Sequence, residues 1–199
     1  MNLRERQQAA TREEIVDTAM RLLERGDENV SHEAIAKEAG MSARTVYRHF
    51  EDRTVLMQAV WWKLRQMLNI RFPQTEDEIV PLGREAFRSL DERADLVRTV
   101  MSYVGWTLAR NQQGLAPMMQ GSDSFSHSLG PMLQGATPKQ RRLMIGCFAA
   151  LYSAPFWHLL RDRGGLSGAE AQNAVAWMMT VLLEAIPKET KSQKKGKKK

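Results

Sequence analysis

Apolar residues recur at intervals of three and four along most of the chain, which is the spacing of one buried helix face. The first such stripe runs from Ile15 to Leu23, and Thr11 and Glu14 precede it at the spacing of an N-terminal capping box. No five-residue stretch alternates cleanly between apolar and polar positions with turns at both ends. The pattern therefore predicts an all-α protein, whose first helix begins at Thr11 and ends at Gly26.

Two short helices separated by a tight turn are predicted next. Ser31 is placed to cap a helix over 32–39, and Gly40 is suited to the left-handed conformation that ends it. Ser42 is placed to cap a second helix, from 43 to 49 or 50. Because this second helix begins about three residues after the first ends, the spacing indicates a helix-turn-helix.

The second short helix carries side chains suited to DNA. Val46 and Phe50 share its inward face, and the side chains left pointing partly or wholly outward are Arg44, Thr45, Tyr47, Arg48 and His49. A guanidinium binds the O6 and N7 edge of guanine or a phosphate, and tyrosine and histidine donate to phosphate oxygens. A solvated helix face has a similar charge pattern, so it is the cap, the turn and the helix lengths that favour DNA binding.

The predicted contacts differ by position along the helix, since residues near its N-terminus reach deepest into the major groove. We expect base contacts from Ala43, Arg44, Thr45 and Arg48. We expect contacts to the DNA backbone from Ser42, Tyr47 and His49.

The segment from Asn29 to Val60 closely resembles the DNA-binding domain of the TetR family of transcriptional regulators. The matching positions are Ile35, Ala36, Ala39, Gly40, Ser42, Thr45, Val46, Tyr47, His49, Phe50 and Arg53. The resemblance implies that Arg53 contacts a phosphate at the start of the fourth helix, where the family usually has lysine. Arginine keeps the charge but changes the geometry of that contact.

This resemblance implies two domains, which precede the lysine-rich tail at 188–199. Residues 1–53 are expected to form an N-terminal three-helix DNA-binding domain, and residues 54–187 a larger helical effector-binding and dimerisation domain. Residues 143–186 look like the family's last two long helices, which pack against their copies in a partner subunit. We therefore expect a homodimer formed through about 138–186, reading a palindromic operator with half-sites about 34 to 36 Å apart.

One apolar run, Leu143–Leu160, admits a second interpretation. It holds 18 residues without a charge, about the shortest length that spans a bilayer. Its polar residues, among them Tyr152 and His158, favour instead a helix buried at a subunit interface. Residues 1–14 contain no apolar stretch typical of a secretion signal. We therefore expect a cytoplasmic protein without a membrane partner.

The central helices contain methionines and aromatic residues that suit an adaptable apolar pocket. The candidates are Met101, Trp106, Met118, Phe125 and Phe148. Any helical domain buries such residues in its core, so the pocket interpretation depends on the resemblance to TetR proteins. That resemblance implies a small effector whose binding moves the fourth helix, here about Thr54–Arg71. No charge stands out among these helices, which favours a hydrophobic or weakly polar ligand.

An enzyme and an effector-independent DNA-binding protein are the two alternatives to a ligand-responsive regulator. For an enzyme, the sequence lacks the common nucleophile, phosphate-loop, dinucleotide and zinc motifs, so we predict no catalytic residue, metal or cofactor. Cys147 and His158 are eleven residues apart, about 16 Å along a continuous helix, which is too far for a catalytic pair. The remaining alternative is an effector-independent DNA-binding protein, such as a chromosome organiser, in which the central helices are solid core.

The charge of the chain is concentrated at its C-terminus. The full sequence has 29 basic and 23 acidic residues, and residues 188–199 hold seven of the lysines but only one acidic residue. The remainder is formally neutral. This tail is predicted to be disordered, and it either adds non-specific affinity for DNA phosphates or merely aids solubility.

Overall fold

The computed structural model describes residues 2–27, 30–104 and 123–196, with backbone alone for 103, 104 and 187–196. All regular elements in these ranges are helices, as predicted. In chain order they are α1 (Leu3–Glu24), α2 (His32–Glu38), α3 (Ala43–His49), α4 (Arg53–Met67), α5 (Ile79–Glu92), α6 (Ala94–Val104), α7 (Pro138–Leu151), α8 (Ala154–His158) and α9 (Gly168–Gly196). A further helical segment covers 123–128, and α8 continues into a π-helical turn, Leu159–Arg163.

The start of α1 differs from the prediction. The helix begins at Leu3, where Asn2 and Glu5 form the capping box, and the Thr11 hydroxyl donates to the Gln7 carbonyl inside the helix. The residues before Thr11 are mostly strong helix formers, so the helix extends back to the first available cap. Its predicted end is confirmed, because Gly26 adopts a φ of 80° directly after the last turn.

The helix-turn-helix forms as predicted. The Ser31 side chain accepts from the Ala34 N–H, and the Ser42 side chain accepts from the Thr45 N–H. Between the two helices Gly40 has a φ of 64°, which a β-carbon would strain. The caps and the glycine thus set where α2 ends and α3 begins.

The fourth helix is shorter than predicted. Asp52 caps it by accepting from the Val55 N–H, and it ends before Asn69, whose φ of 48° is left-handed. The predicted end at Arg71 is therefore wrong, because asparagine adopts the left-handed conformation more readily than most residues. Lys63 of α4 forms an ion pair with Asp17 of α1.

The described residues fall into two compact units. The first contains α1 to α4 and α6, and its core includes side chains from each of α1 to α4, with Ile15, Ile35, Val46 and Leu64 fully buried. The second contains α5, the helical segment 123–128 and α7 to α9.

In the second unit α5 lies against α9. Gly83 lies inside α5, and a β-carbon there would come within 2.6 Å of the Met179 sulfur of α9. Asp91 also joins this unit together, since it accepts from Trp157 Nε1 at 3.1 Å and from Gln172 Nε2 at 3.4 Å. Arg161 Nε lies 2.8 Å from the same carboxylate.

The apolar run Leu143–Leu160 is divided between two helices. Ser153 caps α8 directly after α7 ends, and the two helical segments are bent by 58°. Within the described ranges no single helix is long and apolar enough to cross a bilayer, and only this bent pair passes such a test together.

The last helix begins as predicted but extends further. Ser167 N donates to the Glu170 carboxylate at 2.7 Å, completing the expected capping box. The backbone of α9 stays helical past Pro187 to Gly196, where the sequence predicts a disordered tail. Extending a formed helix costs less than nucleating one, which favours continuation even into a lysine-rich segment.

Candidate nucleic-acid interface

One face of α3 is anchored in the core and the other is open. Val46 and Phe50 are fully buried. The candidate residues that the structure leaves exposed are Ser42, Arg44, Tyr47, Arg48 and Arg53, and those partly exposed are Ala43, Thr45 and His49. Each of the eight candidates therefore has surface available to a partner.

The two arginines of α3 are free cations. Arg44 and Arg48 are exposed, four residues apart, and within the described part of the chain neither makes a hydrogen bond or an ion pair. Residues at this spacing lie on the same side of a helix. The two guanidiniums are therefore presented together, with all their donors available for guanine edges or phosphates.

Ser42 and Thr45 form the N-terminal cap of α3. Ser42 Oγ accepts from the Thr45 N–H at 3.1 Å and lies 2.9 Å from Thr45 Oγ1. Both hydroxyls are thus engaged with each other. The Thr45 methyl group remains the part of that side chain best suited to a base contact, against the methyl of thymine.

Tyr47 is held by residues of α2. Its hydroxyl donates to Glu33 Oε1 at 3.0 Å, and its ring stacks on His32 with centroids 4.3 Å apart. Hydrogen bonds from the backbone and from Tyr47 lower the pKa of Glu33, and the bond to Glu33 raises the pKa of Tyr47. The sequence assigns the Tyr47 hydroxyl to a DNA phosphate, but in this structure it donates its hydrogen bond to Glu33.

His32 is a positioning residue that the sequence analysis did not identify. It is 4% exposed, and its Nε2 lies 2.9 Å from the Phe50 carbonyl, so the ring links the first turn of α2 to the end of α3. The available signal was its position, three and four residues before the buried Ile35 and Ala36 on one helix face.

Arg12 is a second positioning residue that the sequence pattern does not reveal, because it contacts α3 across 37 positions. Its guanidinium donates to the His49 carbonyl at 2.8 Å and lies over the Phe50 ring, 4.0 Å from the centroid. Burial, and then the positive charges of Arg48 and Arg12, lower the pKa of His49. These effects favour the neutral form of the His49 ring, and Arg12 fixes the end of the helix that carries it.

Comparison with known proteins agrees with this geometry. Residues 15–60 match the family model described as bacterial regulatory proteins, tetR family. The chain carries a TetR-family DNA-binding domain. The match contains α2, α3, the C-terminal part of α1 and the N-terminal half of α4, and no curated protein matches the chain. Residues 15–60 are accordingly similar to the DNA-binding domain of TetR regulators.

Arg53 stands at the start of α4 in this TetR domain. It is exposed and follows Asp52, whose side chain caps the helix. The first N–H groups of a helix attract anions, and the adjacent guanidinium adds charge at the same end. The site thus has the chemistry that a phosphate contact at this position requires.

The structure places the pocket candidates in different parts of the chain. Phe125 and Phe148 are both buried in the second compact unit, with ring centroids 5.8 Å apart, and Tyr152 packs edge-on against Phe125. Met101 belongs to α6, in the first unit, and is partly exposed. Trp106 and Met118 lie outside the described residues.

Proposed function

We propose that the protein is a ligand-responsive transcriptional repressor that binds a palindromic operator as a homodimer and is released by a small hydrophobic effector. The observation that carries the proposal is the outward face of α3, where Arg44 and Arg48 are exposed and unengaged on a helix fixed by buried Val46 and Phe50. In this function Arg44, Arg48, Ala43 and Thr45 read bases. No residue is assigned a catalytic role.

The backbone contacts in this proposal come from both ends of α3 and from the start of α4. Ser42 approaches a phosphate beside the helix N-terminus, and Arg53 does the same at α4. His49 serves as a neutral donor until a phosphate nearby favours its protonated form. Tyr47 reaches a phosphate only if its hydroxyl exchanges Glu33 for DNA, because it is already engaged.

Exposed apolar side chains on the last helices support the homodimer. They include Leu143 of α7, at 59%, and Trp177 and Val181 of α9, at 68% and 45%. Trp177 and Val181 are one turn apart and share a helix face. A partner subunit covering 138–186 removes this surface from water, which is the usual composition of a homodimer interface.

The effector in this proposal is a small apolar molecule. The ring cluster of Phe125, Phe148 and Tyr152 favours an apolar ligand nearby. An effector that binds the released dimer a thousandfold more tightly than the DNA-bound dimer opposes DNA binding by about 4 kcal/mol. This is enough to dissociate the protein from most operators. The same cluster also suits a solid core, so a chromosome organiser without an effector is the alternative.

Selection of bound duplexes from a random pool tests the function. A dimer with two α3 helices enriches an inverted repeat whose half-sites are one helical turn apart or somewhat more. Recovery of no common sequence refutes operator recognition and leaves the organiser. A thermal-shift screen of apolar compounds then separates the two candidates, because a true effector stabilises the protein in a saturable manner.

A further inference from the structure

The first turns of α1 project beyond the part of the helix that is buried. Residues 2–10 are all exposed, and the first buried side chain of α1 is Ile15. At 1.5 Å per residue, the segment from Leu3 to Ala10 is about 12 Å long. The family match begins only at Ile15, so nothing in it accounts for this segment.

A groove lies between the projecting turns and the C-terminal end of α3. Its volume is about 420 Å³. The residues lining it are Glu5, Gln8, Ala9 and Arg12 of α1 and Arg48 and His49 of α3. The four α1 residues recur at intervals of three and four, so they form one face of that helix. This face borders the surface that α3 presents to DNA.

The groove has the charge to hold an anion. Arg12 is oriented by the His49 carbonyl and the Phe50 ring, and Arg48 has no partner within the described part of the chain. Glu5 opposes them, but its two carboxylate oxygens accept from the backbone and side-chain nitrogens of Asn2, at 2.8 and 3.2 Å. Two guanidiniums therefore face one carboxylate that is engaged at the start of the helix.

We propose that this groove seats a phosphodiester group of the bound duplex, with Arg12 as the cation that binds it, Gln8 as a neutral donor and the charge of Arg48 beside them. The inference rests on the proposed function, because it places α3 in the major groove. When the N-terminus of α3 lies deepest, its C-terminal end lies at the groove edge, where the sugar-phosphate chain runs. The first turns of α1 then add a contact beyond the base pairs that α3 reads.

Two neighbouring glutamines allow a matched test. Gln8→Glu places a carboxylate in the groove, four residues before Arg12, and Gln7→Glu makes the same charge change one position away, outside the groove lining. Dissociation constants of the full chain are measured by fluorescence anisotropy with an enriched duplex and with a random duplex of equal length. Gln8→Glu should weaken both complexes about tenfold, and Gln7→Glu about twofold, because close charges act far more strongly than distant screened ones.

A second arm identifies the group that is bound. Phosphates of the enriched duplex are replaced one at a time by neutral methylphosphonate. One replacement should weaken binding of the unaltered protein severalfold and have no further effect on Gln8→Glu, the coupling expected of direct contact. Circular dichroism and the melting temperature show whether both variants remain folded.

Each outcome decides between the two proposals. Equal weakening by Gln7→Glu and Gln8→Glu overturns the groove proposal and leaves the role of α3 intact. Weakening by Gln8→Glu without coupling to any phosphate overturns the assignment of the bound group. If the unaltered protein binds no duplex, the proposed function fails and the groove proposal fails with it.

Discussion

Trp177 offers the most direct test of the proposed dimer. It is 68% exposed on a helix whose opposite face is buried through Val175 and Met179. An apolar side chain of this size is seldom so exposed unless a partner covers it. We predict that Trp177→Glu converts the dimer to a monomer.

The size of the effect follows from the exposed area. A covered tryptophan buries about 150 to 250 Å². With 68% of it still accessible, about 100 to 170 Å² is available for burial, worth about 2.5 to 4 kcal/mol at 25 cal/mol per Å². A two-fold dimer buries Trp177 of both subunits, so the substitution removes about 5 to 8 kcal/mol of association free energy as an upper estimate. If about 4 kcal/mol of this is realised, the dimer dissociation constant rises about a thousandfold.

Sedimentation velocity at micromolar concentration measures this change. Trp177→Phe is the matched control, because it keeps most of the apolar area and should remain dimeric. Far-UV circular dichroism establishes that both variants stay helical. A Trp177→Glu protein that sediments like the unaltered dimer would refute the proposed interface, and a monomeric unaltered protein would refute the dimer itself.

Three further predictions concern DNA binding. Arg48→Ala should cost about 1 to 3 kcal/mol on the enriched operator and less on random duplex if the guanidinium is bidentate to guanine; equal losses in anisotropy titrations would assign it to phosphate alone. Burial and neighbouring arginines lower the pKa of His49 in the free protein, and a nearby phosphate raises it in the complex. DNA binding then takes up a proton, so affinity should rise as pH falls below the ordinary histidine range. A His49→Gln variant with an unchanged pH profile would exclude this. Deleting residues 188–199 should weaken operator and random duplex alike and flatten the salt dependence; unchanged binding of random duplex at low salt would leave the tail a solubilising extension.

The parts of the fold that sequence could predict are those set by short-range chemistry. Ser31, Gly40 and Ser42 determine the ends of α2 and α3 through caps and a left-handed turn, all within a few residues of each other. The predicted cap of α1 at Thr11 is wrong, because Asn2 and Glu5 form the capping box and the helix begins at Leu3.

The missed features depend on residues that are distant in the chain. Gly83 lies inside α5 where α9 packs against it, and a β-carbon there would force the Met179 side chain to move. Arg12 meets the end of α3 across 37 positions, and Tyr47 meets Glu33 across 14. No local pattern encodes such pairs, so the candidate residues of α3 were predictable while the residues that hold them were not.

The bond between His32 and the Phe50 carbonyl has a thermodynamic consequence. A reading helix clamped at its far end before it meets a duplex loses little conformational freedom on docking. Association of the protein with a duplex is then governed by released counterions and displaced water, and its rate constant should be high.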